Sequence, residues 1–319
     1  MRKIVDYTIY DQVVNKDNIT IAKDFLIEKK SQGKSSGTVK GYRNDLQIIS
    51  FLLYQHFDNK CYIALNRKDV RNLSIVFQGM EMSNARINRL MCTLRSMLEY
   101  CADDDDYEYE FNVGSRVKGL PKRPIREITF LTEEQVEWLI DEMLKKNNYL
   151  IAMYLALSYY SAKRKSEVHQ VLKDGLTERY YTNKVTGKGG KSFRIFYNDR
   201  VRDIIRLYLD DRGHDDIPYL FVKVYSDKTK QVVTKHAFDY WCKKASVLLS
   251  EREKRNIHIN PHAFRHSRLD NLKQAGIPLE KLKVLANHND ISTTESYLAD
   301  RSEEDIADIF GMNIDCFKK

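Results

Sequence analysis

Long apolar runs are missing from this chain. No stretch reaches the ~18 residues that a membrane-spanning helix requires, and the opening MRKIVDYTIYDQ lacks the apolar core of a secretory leader. Cysteine is sparse: Cys61, Cys92, Cys101, Cys242 and Cys316 are odd in number, and none stands in C-x-x-C spacing. That argues against a disulfide framework and for reduced thiols in a cytoplasmic protein. There is no internal repeat and no low-complexity tract. A Gly-rich nucleotide loop is also absent, since TGKGGKS (186–192) lacks both the spacer and the following helix of that motif. His258, His262 and His266 recur every four residues, a spacing that suggests a metal. Pro261 interrupts that register, however, and no carboxylate or cysteine completes a site. No metal and no cofactor are therefore expected.

What the chain does have is enough length and apolar content for two domains. It has 319 residues, 42% of them hydrophobic. Lys and Arg number 53 against 45 Asp and Glu, a net charge of +8, which favours a polyanionic partner.

Residues 1–16 mix Tyr, Val and Ile with charge and suggest a short strand or a loose arm. Apolar periodicity then predicts four helices: about 19–30, 38–57 with Tyr42, Leu46, Ile49 and Leu53 on one face, 67–77, and 83–104. In the last of these Ser83 is a natural N-cap and Ile87, Leu90, Met91, Leu94 and Leu98 form the apolar stripe. These helices make a compact unit over 17–111 with basic outer faces. The acidic run DDDDYEYEF (103–111) suggests a solvated turn. A basic linker over 112–131 follows, holding two of the chain's five prolines along with Arg116, Lys118, Lys122, Arg123 and Arg126. It is either a solvated tether or a strap across a nucleic-acid backbone.

The second domain, 132–319, opens on TEEQVEWLIDEMLKK with Thr132 as N-cap. NYLIAMYLALSYYS suggests a buried helix, and SAKRKSEV a helix start carrying Arg164 and Glu167. Two β-rich runs flank a Gly-Lys-Gly-Gly turn and predict a hairpin. Further helices are expected at DRVRDIIRLYLDDR, TKHAFDYWCKKASVLLSEREKR, PHAFRHSRLDNLKQ with Pro261 at its first turn, and PLEKLKVLA. IPYLFVK is expected to be extended, and two short helices to close the chain.

The stretch from Ile259 to Leu298 carries the chemistry. His262 and Arg265 stand three apart on one helical face, His288 follows, and Tyr297 lies nine residues beyond it. Cations followed by a phenol suit attack on a phosphodiester, with the cations holding the phosphate and the tyrosine supplying the nucleophile. Taken alone, Arg164 is one cation of a Lys-Arg-Lys run, Lys188 a turn lysine, and Tyr297 one of 20 tyrosines.

The string HAFRH, then NHNDISTTESYL, resembles the C-terminal motif of the tyrosine recombinases, the phage integrase family. Ser161-Ala162-Lys163-Arg164-Lys165-Ser166-Glu167-Val168 is similar to that family's Thr-Gly-Leu-Arg-x-Ser-Glu-Leu, with alanine for its glycine and lysine for its leucine. Asn287 stands where the family has glycine before the histidine, a residue that tolerates positive φ. SSGTVKGYRNDL and NARINRLMCTLRSML resemble its core-binding domain.

The resemblance implies a mostly α fold with a small β-hairpin: a helical, SAM-like core-binding domain and a recombinase catalytic domain. It implies catalytic roles for Arg164, Lys188, His262, Arg265, His288 and Tyr297, and a 3′-phosphotyrosine intermediate that needs neither ATP nor metal. DNA-binding candidates are Lys40, Arg43, Arg86, Arg89, Arg95, Lys118, Lys122, Arg123, Lys163, Lys165 and Lys191. The implied partners are double-stranded DNA and further copies of the chain, a tetramer for recombination, in a nucleoid-associated protein. The segment after Tyr297 would pack on a neighbouring copy or fold back on its own domain. The competing reading is a sequence-specific DNA-binding regulator, such as a phage repressor, as a dimer on the same fold without strand exchange.

Overall fold

The computed structural model describes residues 4–121, 128–287 and 294–295. The chain divides into two compact units, 1–127 and 128–319.

The first unit is helical. Of the stretch expected to be a strand or a loose arm, residues 4–16 are neither. Tyr10–Val13 forms a one-turn helix, α1, and Val5, Tyr10 and Val14 bury themselves against Phe51. Burial of these apolar groups outweighs the charge between them in sequence. Next come α2 (Lys16–Ser31), α3 (Ser36–His56), α4 (Arg67–Gly79) and α5 (Asn84–Asp103). Local chemistry sets their starts. Ser83 accepts the amide of Arg86, and Asn66 and Asp69 form a reciprocal capping box. The five apolar residues expected on the α5 stripe are all buried, and they pack with Phe25, Leu46, Ile49 and Phe77 into one core.

Two features of this unit correct the sequence reading. The basic residues of α5 do not simply face outward. Arg86 and Arg89 hold the buried carboxylate of Asp45 at 2.5 and 2.9 Å, and Thr93 adds a hydroxyl at 3.2 Å. Arg95 donates to the carbonyls of Gly114 and Val117. A buried carboxylate needs such partners, so these arginines have structural work. The linker does not begin at 112 either. Asn112 donates to the Arg95 carbonyl, and Asn88 pairs with both backbone groups of Leu120, so residues 112–120 fold back on α5. Lys40, Arg43 and Lys118 are exposed as expected; Lys122 and Arg123 lie outside the described residues.

The second unit is built around α7 (Tyr149–Ser161), a helix apolar on every side and therefore buried. Around it pack α6 (Glu133–Lys145), which Thr132 and Gln135 cap reciprocally, α9 (Asp199–Arg212) and α11 (Pro261–Gln274). Short α8 (Lys165–Val168) leaves the end of α7. Strands β1 (Tyr181–Thr186) and β2 (Ser192–Phe196) form the expected antiparallel hairpin, with Thr186 opposite Ser192 and Lys184 opposite Arg194. A second hairpin pairs β3 (Val222–Val224) with β4 (Lys230–Val232). Its second strand is short and polar and has no apolar alternation to announce it. Then come α10 (Lys235–Glu253) and, after α11, α12 (Leu279–Ala286). No helix among the described residues is long and apolar enough to cross a membrane.

Candidate functional site

α7 ends at Ala162, which takes a left-handed conformation with φ 52°. That turn directs Lys163 inward and puts Arg164 at the N-cap of α8. Glu167, three residues on and buried, reaches back to the Arg164 amide at 2.8 Å and to its guanidinium at 3.1 Å. The arginine is thereby oriented by its own helix. Its side chain keeps a fifth of its surface open to solvent.

Arg265 enters the same neighbourhood from α11. It is fully buried, donating from Nη1 to the carbonyl of Ala162 and from Nη2 to the carbonyl of Ala286, each at 2.6 Å. One guanidinium thus joins the ends of two helices. It engages the C-terminal carbonyls of each, where a cation is favoured. A small apolar cluster of Ala162, Leu269, Leu282 and Ala286 seals the same junction.

His262 lies one helical turn before Arg265. By surface area it is an exposed residue, yet protein is packed behind its ring. That partial burial, followed by the charges of Arg265, Arg164 and Lys165, depresses its pKa below the ordinary histidine value. Both arginines therefore act on one imidazole, although they come from segments about a hundred positions apart.

The hairpin approaches from a third side. Gly187 sits so close to α8 that a Cβ there would meet Phe193 at 2.7 Å and the Glu167 carboxylate at 3.2 Å. The Gln170 side chain donates to the carbonyl of Thr186 and accepts its amide, clipping the hairpin to the segment after α8. Lys188, next to Gly187, is exposed at the tip, and so is Lys191.

Lys163 departs from the surface role expected of it. It is 6% exposed, donates to the Leu285 carbonyl at 2.5 Å and lies 4.7 Å from the Phe193 ring centre. Burial, then the charges of Arg265 and Arg164, brings its pKa down to about 8 despite the opposing pull of Glu167. Lys165 is paired with both oxygens of Asp239, at 2.7 and 2.8 Å, on the partly exposed surface of α10. Such a surface pair is weak.

Glu167 and Gln170 were not singled out as site residues by sequence. The Arg-x-x-Glu spacing at a helix start was the available sign for the first; nothing local marks the second. Asn287 ends α12 with φ 54°, the positive φ its residue type permits. His288 and Tyr297 lie outside the described residues.

The profile of the Phage integrase family matches residues 129–304, more than half of the chain. The SPbeta prophage-derived recombinase-like protein YomM of Bacillus subtilis is 27% identical over 320 residues, covering 94% of this chain and 92% of that one. Tyrosine recombinase XerC of Staphylococcus saprophyticus is 26% identical over 273 residues, covering 82% of this chain and 86% of its own. Among solved structures, a lambda integrase dimer bound to a COC′ core site aligns with TM-score 0.67 at 13% identity, covering 93% of this chain and 82% of that one. The Tn1549 transposon integrase in complex with transposon right end DNA aligns at 0.66 and 15% identity, covering 91% and 98%. At these identities the structural likeness speaks for the fold, a mostly helical recombinase architecture with a small sheet.

Proposed function

Because this chain belongs to the phage integrase family of tyrosine recombinases, we propose that it cuts and rejoins duplex DNA at specific sites through a 3′-phosphotyrosine intermediate. The observation that carries the proposal is the meeting of Arg164, His262 and Arg265 around the α7–α8 turn, with the Lys188 hairpin clipped beside it.

Strand cleavage needs a nucleophile, a stabiliser of the charge that builds on the phosphorus oxygens, and a proton for the departing oxygen. In this reading Tyr297 attacks the scissile phosphate. Arg164 and Arg265 neutralise the non-bridging oxygens with two permanent charges. Arg265 does so from within the junction, its Nη1 and Nη2 held on the Ala162 and Ala286 carbonyls. His262, held neutral near pH 7 by its depressed pKa, is suited to accept the tyrosine proton. Lys188 donates a proton to the leaving 5′-hydroxyl, and His288 supports a non-bridging oxygen. The phosphotyrosine conserves the bond energy, and a second 5′-hydroxyl resolves it, so the reaction needs no cofactor. The exposed Lys40, Arg43, Lys118 and Lys191 supply phosphate contacts, which makes affinity salt-dependent. Pairing of two sites calls for a tetramer on DNA. The two domains would be the helical unit ending at Glu127 and the catalytic unit beginning at Ile128.

A nicked duplex carrying the protein's own site tests this. Wild type is expected to become covalently joined to DNA and Tyr297→Phe is not. Specific binding by wild type with no covalent product would replace this reading with that of a DNA-binding regulator.

A further inference from the structure

The buried lysine beside the arginine pair is unusual on energetic grounds. A cation taken from water is costly unless an anion or strong acceptors receive it. Here the neighbours are mostly the wrong sign. Arg265 from α11 and Arg164 from α8 repel it, Glu167 attracts it, and the Phe193 ring faces it from β2. The tyrosine recombinase pattern carries leucine at this point, a residue that would fill an apolar pocket without that cost. What the lysine gains is the Leu285 carbonyl at the last turn of α12. Arg265 takes the next carbonyl, that of Ala286. Two cations from separate elements therefore close the C-terminus of an eight-residue helix, where the helix dipole is most negative. The next residue, Asn287, turns into positive φ and is followed in the chain by His288. Among the described residues the apolar attachment of α12 is modest: Leu282 and Ala286 are buried against Ala162 and Leu269, and Leu279 and Leu285 are half-buried beside them. A polar tie at its end accordingly matters to its placement.

We propose that Lys163 is a positioning residue, which holds the C-terminal turn of α12 against the Arg164–Arg265 pair and so sets where the chain leaves toward His288. This rests on the recombinase reading for its catalytic consequence but not for its structural one. Removing the ammonium leaves global stability intact or improved, because an unfavourable buried charge goes with it. The end of α12 nevertheless loosens. A lysine that served only to fill space would leave the end of α12 unchanged once methionine took its volume.

The test compares wild type, Lys163→Met and Lys163→Arg as full-length proteins. Amide hydrogen exchange is read in peptides spanning 279–287, with peptides from α9 as an internal control. Exchange at the α12 end in K163M is expected to rise about tenfold, the equivalent of one charge-assisted hydrogen bond. α9 should stay unchanged, and K163R should restore protection. Unchanged exchange in α12, or equal loosening of α9, overturns the proposal. A second arm uses the nicked duplex: K163M is expected to bind DNA as wild type does but to form the covalent complex more slowly, with K163R intermediate. A loss of DNA affinity with an unchanged rate of covalent joining overturns it. If wild type itself forms no covalent complex, the recombinase reading fails, and the exchange arm still decides the role of Lys163.

Discussion

Arg265 donates to the carbonyl of Ala162 at 2.6 Å across 103 positions of sequence. This bond places the second arginine of the proposed clamp two residues from the first. Arg265→Lys is expected to keep the charge and lose the fork, since one ammonium cannot reach both the Ala162 and Ala286 carbonyls. Leaving one buried carbonyl unpaired costs about 1–3 kcal/mol. Urea unfolding measures that loss, and covalent joining on a nicked duplex is expected to fall with it.

Ala162→Gly separates backbone strain from packing. An L-residue in the left-handed region costs roughly 1–2 kcal/mol, while the buried methyl contributes about 0.8 kcal/mol. The variant should be neutral to about 1 kcal/mol more stable by urea unfolding. Ala162→Val should lose stability, because β-branching resists positive φ and the site is closed.

For Lys163 the sign of the pH dependence follows from its depressed pKa, about 8 against an ordinary 10.5. Between those values the unfolded chain binds more protons than the folded one, so stability rises with pH. Wild type is therefore expected to gain on K163M as pH climbs from about 8 to 10, measured by urea unfolding at each pH. Asp215 shows the same sign in a lower pH window, although there it is the charged form that the fold favours. The hydrogen bonds of Arg212, with help from the Ile217 amide and Lys173, hold its carboxyl well below the usual range. Its contribution is present above the ordinary carboxylate value and disappears as pH falls through the depressed one. Asp215→Asn should cost about 3 kcal/mol at pH 7, a deficit that narrows in strong acid.

His262 gives a kinetic prediction. Its pKa lies below the ordinary histidine value, so covalent joining should hold steady as pH drops toward 6.5. Below the depressed value it should fall, by about tenfold per pH unit. Lys188→Ala should abolish joining to an intact duplex far more than joining to a substrate whose leaving group needs no proton.

On the first unit, exposed and tied cations should separate. Lys40→Ala and Arg43→Ala are expected to lower the salt slope of DNA affinity by about 1 each while leaving stability alone. Arg86→Ala weakens the hold on buried Asp45 and should cost about 2 kcal/mol of folding stability. Fluorescence anisotropy over a salt series and urea unfolding check both halves.

Much of this was legible where the physics is local. Ser83 and Thr132 mark helix starts because a cap acts over three residues, and Pro261 does so by its fixed φ. Arg164, His262 and Arg265 could be selected by motif, since their order and spacing recur in the family. The inward turn of Lys163 was hidden, because the carbonyl that receives it lies 122 positions away and a lysine's usual place is in water. The fold-back of residues 112–120 escaped notice for the same reason: the side chains that hold it, Asn88 and Asn112, look like ordinary surface amides. The one-turn α1 and the three-residue β4 are too short to show any period.

Gln170 extends the antiparallel hairpin by one side-chain rung, giving and receiving a hydrogen bond at Thr186 while also bonding the Ser166 carbonyl inside α8. Lys188 is two residues from that rung. If the tip lysine meets a nucleic-acid backbone as proposed, a pull on it would be delivered to the short helix that Arg164 caps, and the two cations would respond as a linked pair instead of as independent arms.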